Sequence, residues 1–453
     1  MRIAAAFALL ATAGLAEAGT FAFRGVNVVP MDAERIVEGQ TVVVRDGRIV
    51  AVGPADAVEI PKAAAVIEAA GLYLMPGLAE MHAHIPNTAD MDAVQRVLDL
   101  FLANGVTTIR GMLGEPGHIG LREAVARGER DGPRILAAGP SLNGQSVTTP
   151  ARGAEMVREQ HAAGFDLLKL HPGLTPPKFD AIVEAAREVG IPFGGHVSVE
   201  VGLPYSLERG QLTVDHFDDF MRHLVPPEAE ARRTVLPFWF GVNLARHADA
   251  ARIPLLVEMT REAGAWVVPT EHLFVALLDD TPSEERLARP EYAYVSAATR
   301  AQWTRQRDAL RGHPQYDAEY APRFLELRRG LIAAVDGIDR LLLGADAPQM
   351  FNVPGFSVHG ELAIYVAAGL SPYRALRTGT VNVARHLGVA ERRGTVAEGM
   401  EADLVLVAGN PLEDIAQASR VQGVMVMGRW YDRAWIDARL EAIRLAMAAE
   451  GGS

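Results

Sequence analysis

Leu74-Met75-Pro76-Gly77-Leu78-Ala79-Glu80-Met81-His82-Ala83-His84 is the stretch that decides the fold. Its apolar run reads as a strand, and alternation of faces along a strand makes His82 and His84 project the same way. Two imidazoles on one face at a strand end suit a single metal ion, because neutral imidazole is the commonest protein metal ligand. An isolated H-x-H is more often a pair of surface or packing histidines than a metal site. Its surroundings therefore have to carry the argument.

Downstream of this stretch, short apolar strands alternate with helical stretches, the rhythm of repeated βα units. Eight strands are expected: Leu78–His84, Val106–Met112, Arg134–Gly139, Asp166–His171, Ile191–Val197, Thr213–Asp219, Ala265–His272 and Leu341–Asp346. Met91–Ala103, Pro177–Glu188 and Ala251–Ala263 read as helices between them. Eight such units close a (β/α)8 TIM barrel. Residues 282–335 form a charged, helical insertion punctuated by Pro282, Pro290, Pro314 and Pro322, leaving the barrel after its seventh strand.

Upstream, Phe21–Val29, Thr41–Val44, Arg48–Val52 and Val66–Glu68 read as strands, with Asp46-Gly47 as a hairpin turn. Strand patterns return at Gly394–Val396, Ala402–Val407 and Val421–Arg429, and a helix follows over Arg433–Ala449. The expected architecture is α/β: a TIM barrel with a small β-sandwich formed by the N- and C-terminal segments. Its parts are a first β segment over 19–75, the barrel over 76–388, a second β segment over 389–432, and a helix and tail over 433–453.

Residues 1–18 stand apart. Arg2, the apolar run Ile3–Leu15 and the ending Ala16-Glu17-Ala18 are the parts of a secretory signal peptide, implying a secreted or periplasmic protein. No cysteine follows that could carry a lipid, so no membrane anchor is expected once the signal is removed. A formal net charge of −12 over 453 residues argues against a nucleic-acid partner, which would demand a basic face. With no cysteine in the chain, disulfides are excluded and any metal must be held by His, carboxylate or a modified side chain.

Polar residues cluster at the expected strand ends. His82 and His84 end the first strand and Lys169 lies near the end of the fourth. His196 ends the fifth, His216 the sixth and Asp346 the eighth. C-terminal strand ends are where barrel active sites are built. Four imidazoles and a carboxylate suit Zn2+ or a similar divalent ion, and two neighbouring ions sharing a hydroxide would make difficult hydrolysis accessible near neutral pH. A Lys169 ammonium would repel such ions, whereas its amine can add carbon dioxide and become an anionic carbamate.

This set of residues resembles the metal-dependent amidohydrolase superfamily, in its imidazolonepropionase-like and Xaa-Pro dipeptidase-like branch. The resemblance extends over Asp46-Gly47-Arg48-Ile49, Met75-Pro76-Gly77 and Thr380-Val381-Asn382-Val383-Ala384-Arg385. It continues through Ala402-Asp403-Leu404-Val405-Leu406 and Gly409-Asn410-Pro411-Leu412. It implies that His82, His84 and Asp346 hold a first divalent ion, that His196 and His216 hold a second, and that carbamylated Lys169 bridges them. Asp346 would act as general base and then general acid. Asp215 and Ala345 depart from the Glu and Thr usual in the family, which leaves the ligand set intact.

The expected activity is attack of a metal-bound hydroxide on a C–N bond, cyclic or not, in a small-molecule or dipeptide-like substrate. Lactone, ester or organophosphate hydrolysis at the same site is the first alternative. Single-metal ring opening or deamination is a second, and a non-catalytic metal-binding barrel a third. His272 and His359 are candidate substrate contacts, and His171 shares the face of Lys169. Assembly into a homo-oligomer stays open.

Overall fold

The computed structural model describes residues 19–450. The expected signal peptide, 1–18, and the last residues of the tail, 451–453, lie outside the described residues.

Both ends of the chain contribute to one mixed sheet of eight strands. Across the sheet the order is Arg429–Asp432, Val421–Val426, Leu404–Val407, Tyr73–Pro76, Thr20–Val28, Val37–Arg45 and Arg48–Pro54, with Ala65–Glu68 also paired to Thr20–Val28. The two segments join where Leu404–Val407 runs antiparallel to Tyr73–Pro76, immediately before the His82 strand. Asp46 and Gly47, at φ of 50° and 72°, make the hairpin turn, as a turn with two left-handed residues requires. Phe21, Phe23, Val42, Val44, Leu404 and Leu406 bury one face of the sheet, and Trp430 packs edge-on against Phe23 at 5.1 Å. Residues 394–396 are a bend rather than the expected strand, because Gly394 at φ +95° breaks the extension. The single strand expected over Val421–Arg429 is interrupted by a turn at Met427-Gly428, so Arg429 begins the next strand.

The middle of the chain forms two parallel sheets. Leu78–Ala83, Val106–Gly111 and Arg134–Ala137 make one; Leu168–Leu170, Phe193–Gly195, Thr213–Asp215 and Trp266–Val268 make the other. Isolated parallel bridges link Ala138 to Leu167, Val267 to Leu341 and Ala83 to Ala347. The segment 341–346, expected as a strand, pairs only through such bridges. The strands are shorter than their apolar runs suggest because the backbone leaves the extended region at their ends. Gly195, His216, Thr270 and Asp346 take φ of +113°, +64°, +54° and +66°, which turns the chain out of the ladder. The strand that was to reach His272 ends at Val268, and His272 lies in the helix Glu271–Leu278.

Helices cover the parallel strands. Met91–Ala103 is capped by Asp90, which accepts from the Ala93 amide, and it buries Val94, Leu98 and Phe101. Pro176–Val189 ends on the left-handed Gly190. The insertion carries the helices Ser283–Leu287, Ala297–Arg311 and Ala321–Asp336. Its Tyr292 and Trp303 pack on Phe351, and the Tyr292 hydroxyl donates to the Phe351 carbonyl at 2.9 Å, tying the insertion to the loop after Asp346. Among the described residues no helix is long and apolar enough to cross a membrane.

Candidate metal centre

The strand ends bring His82, His84 and Asp346 together, with one ligand atom from each within 4.8 Å of the others. Asp346 Oδ1 lies 2.6 Å from His84 Nε2 and 3.7 Å from His82 Nε2. Lys169 adds its Nζ at 3.3 Å from His82 Nε2, fully buried. The His216 ring sits 4.6 Å from that of His82, and the His196 ring 4.6 Å from that of His216. His196 and His216 belong to this row of rings but stand outside the tight three-residue group. His84 and His196 retain 18% and 12% side-chain exposure, so this side of the row reaches solvent.

The donor chemistry fits a divalent cation. Asp218 Oδ2 accepts from His196 Nδ1 at 2.6 Å, leaving Nε2 with a free lone pair. The Thr270 hydroxyl donates to the Pro269 carbonyl, so its oxygen accepts from His216 Nδ1 at 2.7 Å, and Nε2 is freed again. Nδ1 of His82 lies 2.9 Å from Asp215 Oδ2, off the in-line direction of a hydrogen bond, which turns its Nε2 toward Asp346. Burial, reinforced by Lys169 for His82 and by His196 for His216, holds both imidazoles well below their ordinary pKa and hence neutral, the form that ligates metal. Burial also lowers Lys169, against the pull of Asp215 and Asp346. For Asp346 burial pushes upward, but the imidazoles beside it, His84 through a 2.6 Å hydrogen bond, outweigh burial and hold the carboxyl below its usual range.

Supporting groups emerge that the linear sequence did not single out. Glu80, fully buried, accepts from the amides of His82 at 2.9 Å and Ala345 at 2.8 Å, so one carboxylate ties together the segments that carry His82 and Asp346. Arg110 donates to the Met81 carbonyl at 2.7 Å and to Asp215 Oδ1 at 3.3 Å. Arg328, from the insertion, donates to Glu271 at 2.7 Å, to the His216 carbonyl at 2.7 Å and to the Pro269 carbonyl at 2.8 Å. Its guanidinium lies 3.5 Å from the Phe274 ring centre. Arg328→Met should destabilise the fold by about 3–5 kcal/mol, because it leaves Glu271 buried without its partner. A urea denaturation midpoint checks this, and the double variant Arg328→Met with Glu271→Gln should recover part of the loss.

The two candidate substrate contacts are held by protein groups. His272 Nδ1 pairs with Asn352 Oδ1 at 2.5 Å, and the His272 amide donates to Glu361 at 2.6 Å. His359 Nε2 donates to the Asn104 carbonyl at 3.0 Å. Asn104 precedes the strand Val106–Gly111, so the His359 ring lies beside the beginning of a strand, away from the strand ends that gather the other histidines. His171 Nδ1 meets Ser141 Oγ at 2.7 Å, with its ring 4.8 Å from that of His196.

A fold of this topology, with this row of imidazoles, lysine and carboxylate at its strand ends, defines a class. The chain belongs to the amidohydrolase family, whose pattern matches residues 73–431. An adenine deaminase of Chelativorans sp. (strain BNC1) is 29% identical over 191 residues, 38% of this chain and 31% of that protein. The chain thus spans about a third of the length of the curated relatives it matches. Among solved structures, bottromycin amidohydrolase superposes with a TM-score of 0.71 at 24% identity, covering 94% of this chain and 90% of that one. A Xaa-Pro dipeptidase with bound methionine gives 0.65 at 16% identity, covering 91% and 100%.

Proposed function

We propose that this protein is a metal-dependent hydrolase of a C–N bond in a small, dipeptide-like substrate. The observation that carries the reading is the meeting of His82, His84 and Asp346 within 4.8 Å, beside a buried lysine amine. His82, His84 and Asp346 would hold a first divalent ion and His196 and His216 a second. Zn2+ matches this nitrogen and oxygen set. Lys169, as its carbamate, would supply the anion between them. Ions held there, when bound, acidify a water molecule and polarise a carbonyl.

The chain's own residues do the remaining work. Asp346, kept ionised by His82 and His84, accepts a proton from the attacking water and returns it to the departing nitrogen. The net change is water added across the C–N bond, oxygen to the acyl carbon and hydrogen to the nitrogen. Arg110 and Glu80 keep the supporting backbone in place.

The reading includes a closed (β/α)8 barrel with a β-sandwich beside it. Support for closure comes from hydrogen bonds across the seams: Gly139 N to Leu167 O at 3.0 Å, Leu342 N to Val267 O at 2.9 Å and Met81 N to Leu343 O at 2.9 Å. It also includes export directed by residues 1–18, tested by whether the mature N-terminus is Gly19.

Metal content per chain, together with release of amino acids from dipeptides and N-acyl amino acids, tests the function. About two divalent ions per chain are expected, with activity lost on chelation and restored by Zn2+. A metal-replete protein that cleaves no C–N bond overturns the proposal. One ion per chain instead favours single-metal deamination or ring opening, a reading supported by the tight group containing only His82, His84 and Asp346.

A further inference from the structure

A cleft of about 300 Å3 opens directly beside His196. Its wall is apolar: Pro237, Trp239, Phe240, Val197 and Val199. Phe240 faces the row of imidazoles, its ring stacked on His196 at 6.1 Å and 5.4 Å from the ring of His216. Trp239, Phe240 and Gly241 take φ of 37°, 60° and 82° in succession. Bulky residues rarely adopt positive φ, and such backbone persists where the surroundings over-determine it. Here Phe274 packs edge-on against Phe240 at 5.0 Å, the Phe238 amide donates to Asn243 at 2.9 Å, and His313 of the insertion stacks on Phe238 at 4.3 Å. The aromatic wall is braced before any ligand arrives.

Charge in the cleft comes from Asp218, Asp219 and Arg222. Each carboxylate is engaged through its Oδ2, while Asp219 Oδ1 is buried without a hydrogen-bond partner. Asp218 accepts from His196 and from the Val197 amide, and Asp219 accepts from the Leu203 amide and pairs with His223. Arg222 donates once, to the Val199 carbonyl at 3.3 Å, and among the described residues it has no ion-pair partner. An uncommitted guanidinium beside an apolar wall is a receptor for a carboxylate attached to an apolar group. The volume lies at the small end of ligand sites, which suits one amino-acid residue rather than a longer peptide.

We propose that this cleft holds the C-terminal residue of an acyl amino acid or dipeptide, its free carboxylate on Arg222 and its apolar side chain against Trp239 and Phe240. This rests on the hydrolytic reading above, which puts the scissile C–N bond at the row of imidazoles. Arg222 then selects for a free carboxylate, and the aromatic wall selects for an apolar side chain.

The test uses the metal-replete protein and two probes, N-acetyl-L-phenylalanine and its neutral C-terminal amide. Binding is read from quenching of Trp239 fluorescence, with Trp239→Phe identifying that signal, and hydrolysis from release of acetate. The acid should bind about 10–100-fold more tightly than the amide, the range of a hydrogen bond to a charged group. Arg222→Met should abolish that preference while leaving affinity for the amide within about threefold, and Arg222→Lys should restore part of it. Equal binding of acid and amide by the wild-type protein, or an unchanged preference in Arg222→Met, overturns the proposal. So does tighter binding of adenine than of the acid in the same cleft. Selective binding without acetate release keeps the carboxylate site and overturns the hydrolytic reading alone.

Discussion

Asp346→Asn should lower the rate of C–N hydrolysis by about three orders of magnitude, within the range that general acid–base groups contribute. Burial alone would favour the neutral acid, but His82 and His84 reverse that and leave a carboxylate able to take a proton. Asparagine keeps the shape and one oxygen ligand yet accepts no proton at working pH. Most of the loss should therefore fall on kcat, with KM little changed, since the interaction belongs to the transition state. Elemental analysis and a thermal melt accompany the kinetics, because Asp346 also hydrogen-bonds with His84. A variant with wild-type metal content and undiminished kcat would remove Asp346 from proton transfer. Asp346→Glu, which retains the base at a shifted position, should recover part of the rate.

The readable part of this molecule is what depends on neighbours in sequence. The pairing of His82 with His84 follows from two-residue alternation at the end of an apolar run, and Asp46-Gly47 is legible as a turn because two left-handed residues are needed there. The terminal helix follows from apolar spacing and from Asp432, which caps it by accepting from the Trp435 amide. What sequence could not supply is pairing over long separations. Arg328 reaches the His216 carbonyl across 112 residues, and nothing in the charged insertion distinguishes it from its solvated neighbours. Glu80 stands in the quoted stretch and reads as an ordinary polar position. Its role rests on the Ala345 amide, 265 residues away. The strands end a few residues short of the hydrophobic pattern because positive φ at His216, Thr270 and Asp346 is set by tertiary packing and leaves no mark in that pattern. The location of His359 was hidden for a related reason: the docking of the helix Phe356–Ala367 beside Asn104 leaves no mark in the local sequence.

Lys169→Ala should nearly abolish hydrolysis and reduce metal content toward one ion per chain, losses that a short carboxylate added to the buffer should partly reverse. Lys169 is fully buried, with Nζ 3.3 Å from His82 Nε2 and 3.6 Å from Asp215 Oδ2. An ammonium there would oppose any cation held by His82, and burial disfavours that charge in any case. Addition of carbon dioxide to the neutral amine forms an N–C bond and releases one N–H proton to solvent, giving an anion that would be able to bridge two ions. Intact-protein mass spectrometry under native conditions should show the added mass of one carboxyl group, lost in Lys169→Ala and on acid denaturation. Rescue distinguishes this role from packing. Acetate or formate can occupy the volume vacated by the side chain and present a carboxylate where the proposed carbamate would stand, whereas a neutral amide of equal size supplies no charge. Acetate rescue with no rescue by acetamide is the expected pattern. Full activity and unchanged metal content in Lys169→Met would instead make the lysine a bystander, with every ion held without it.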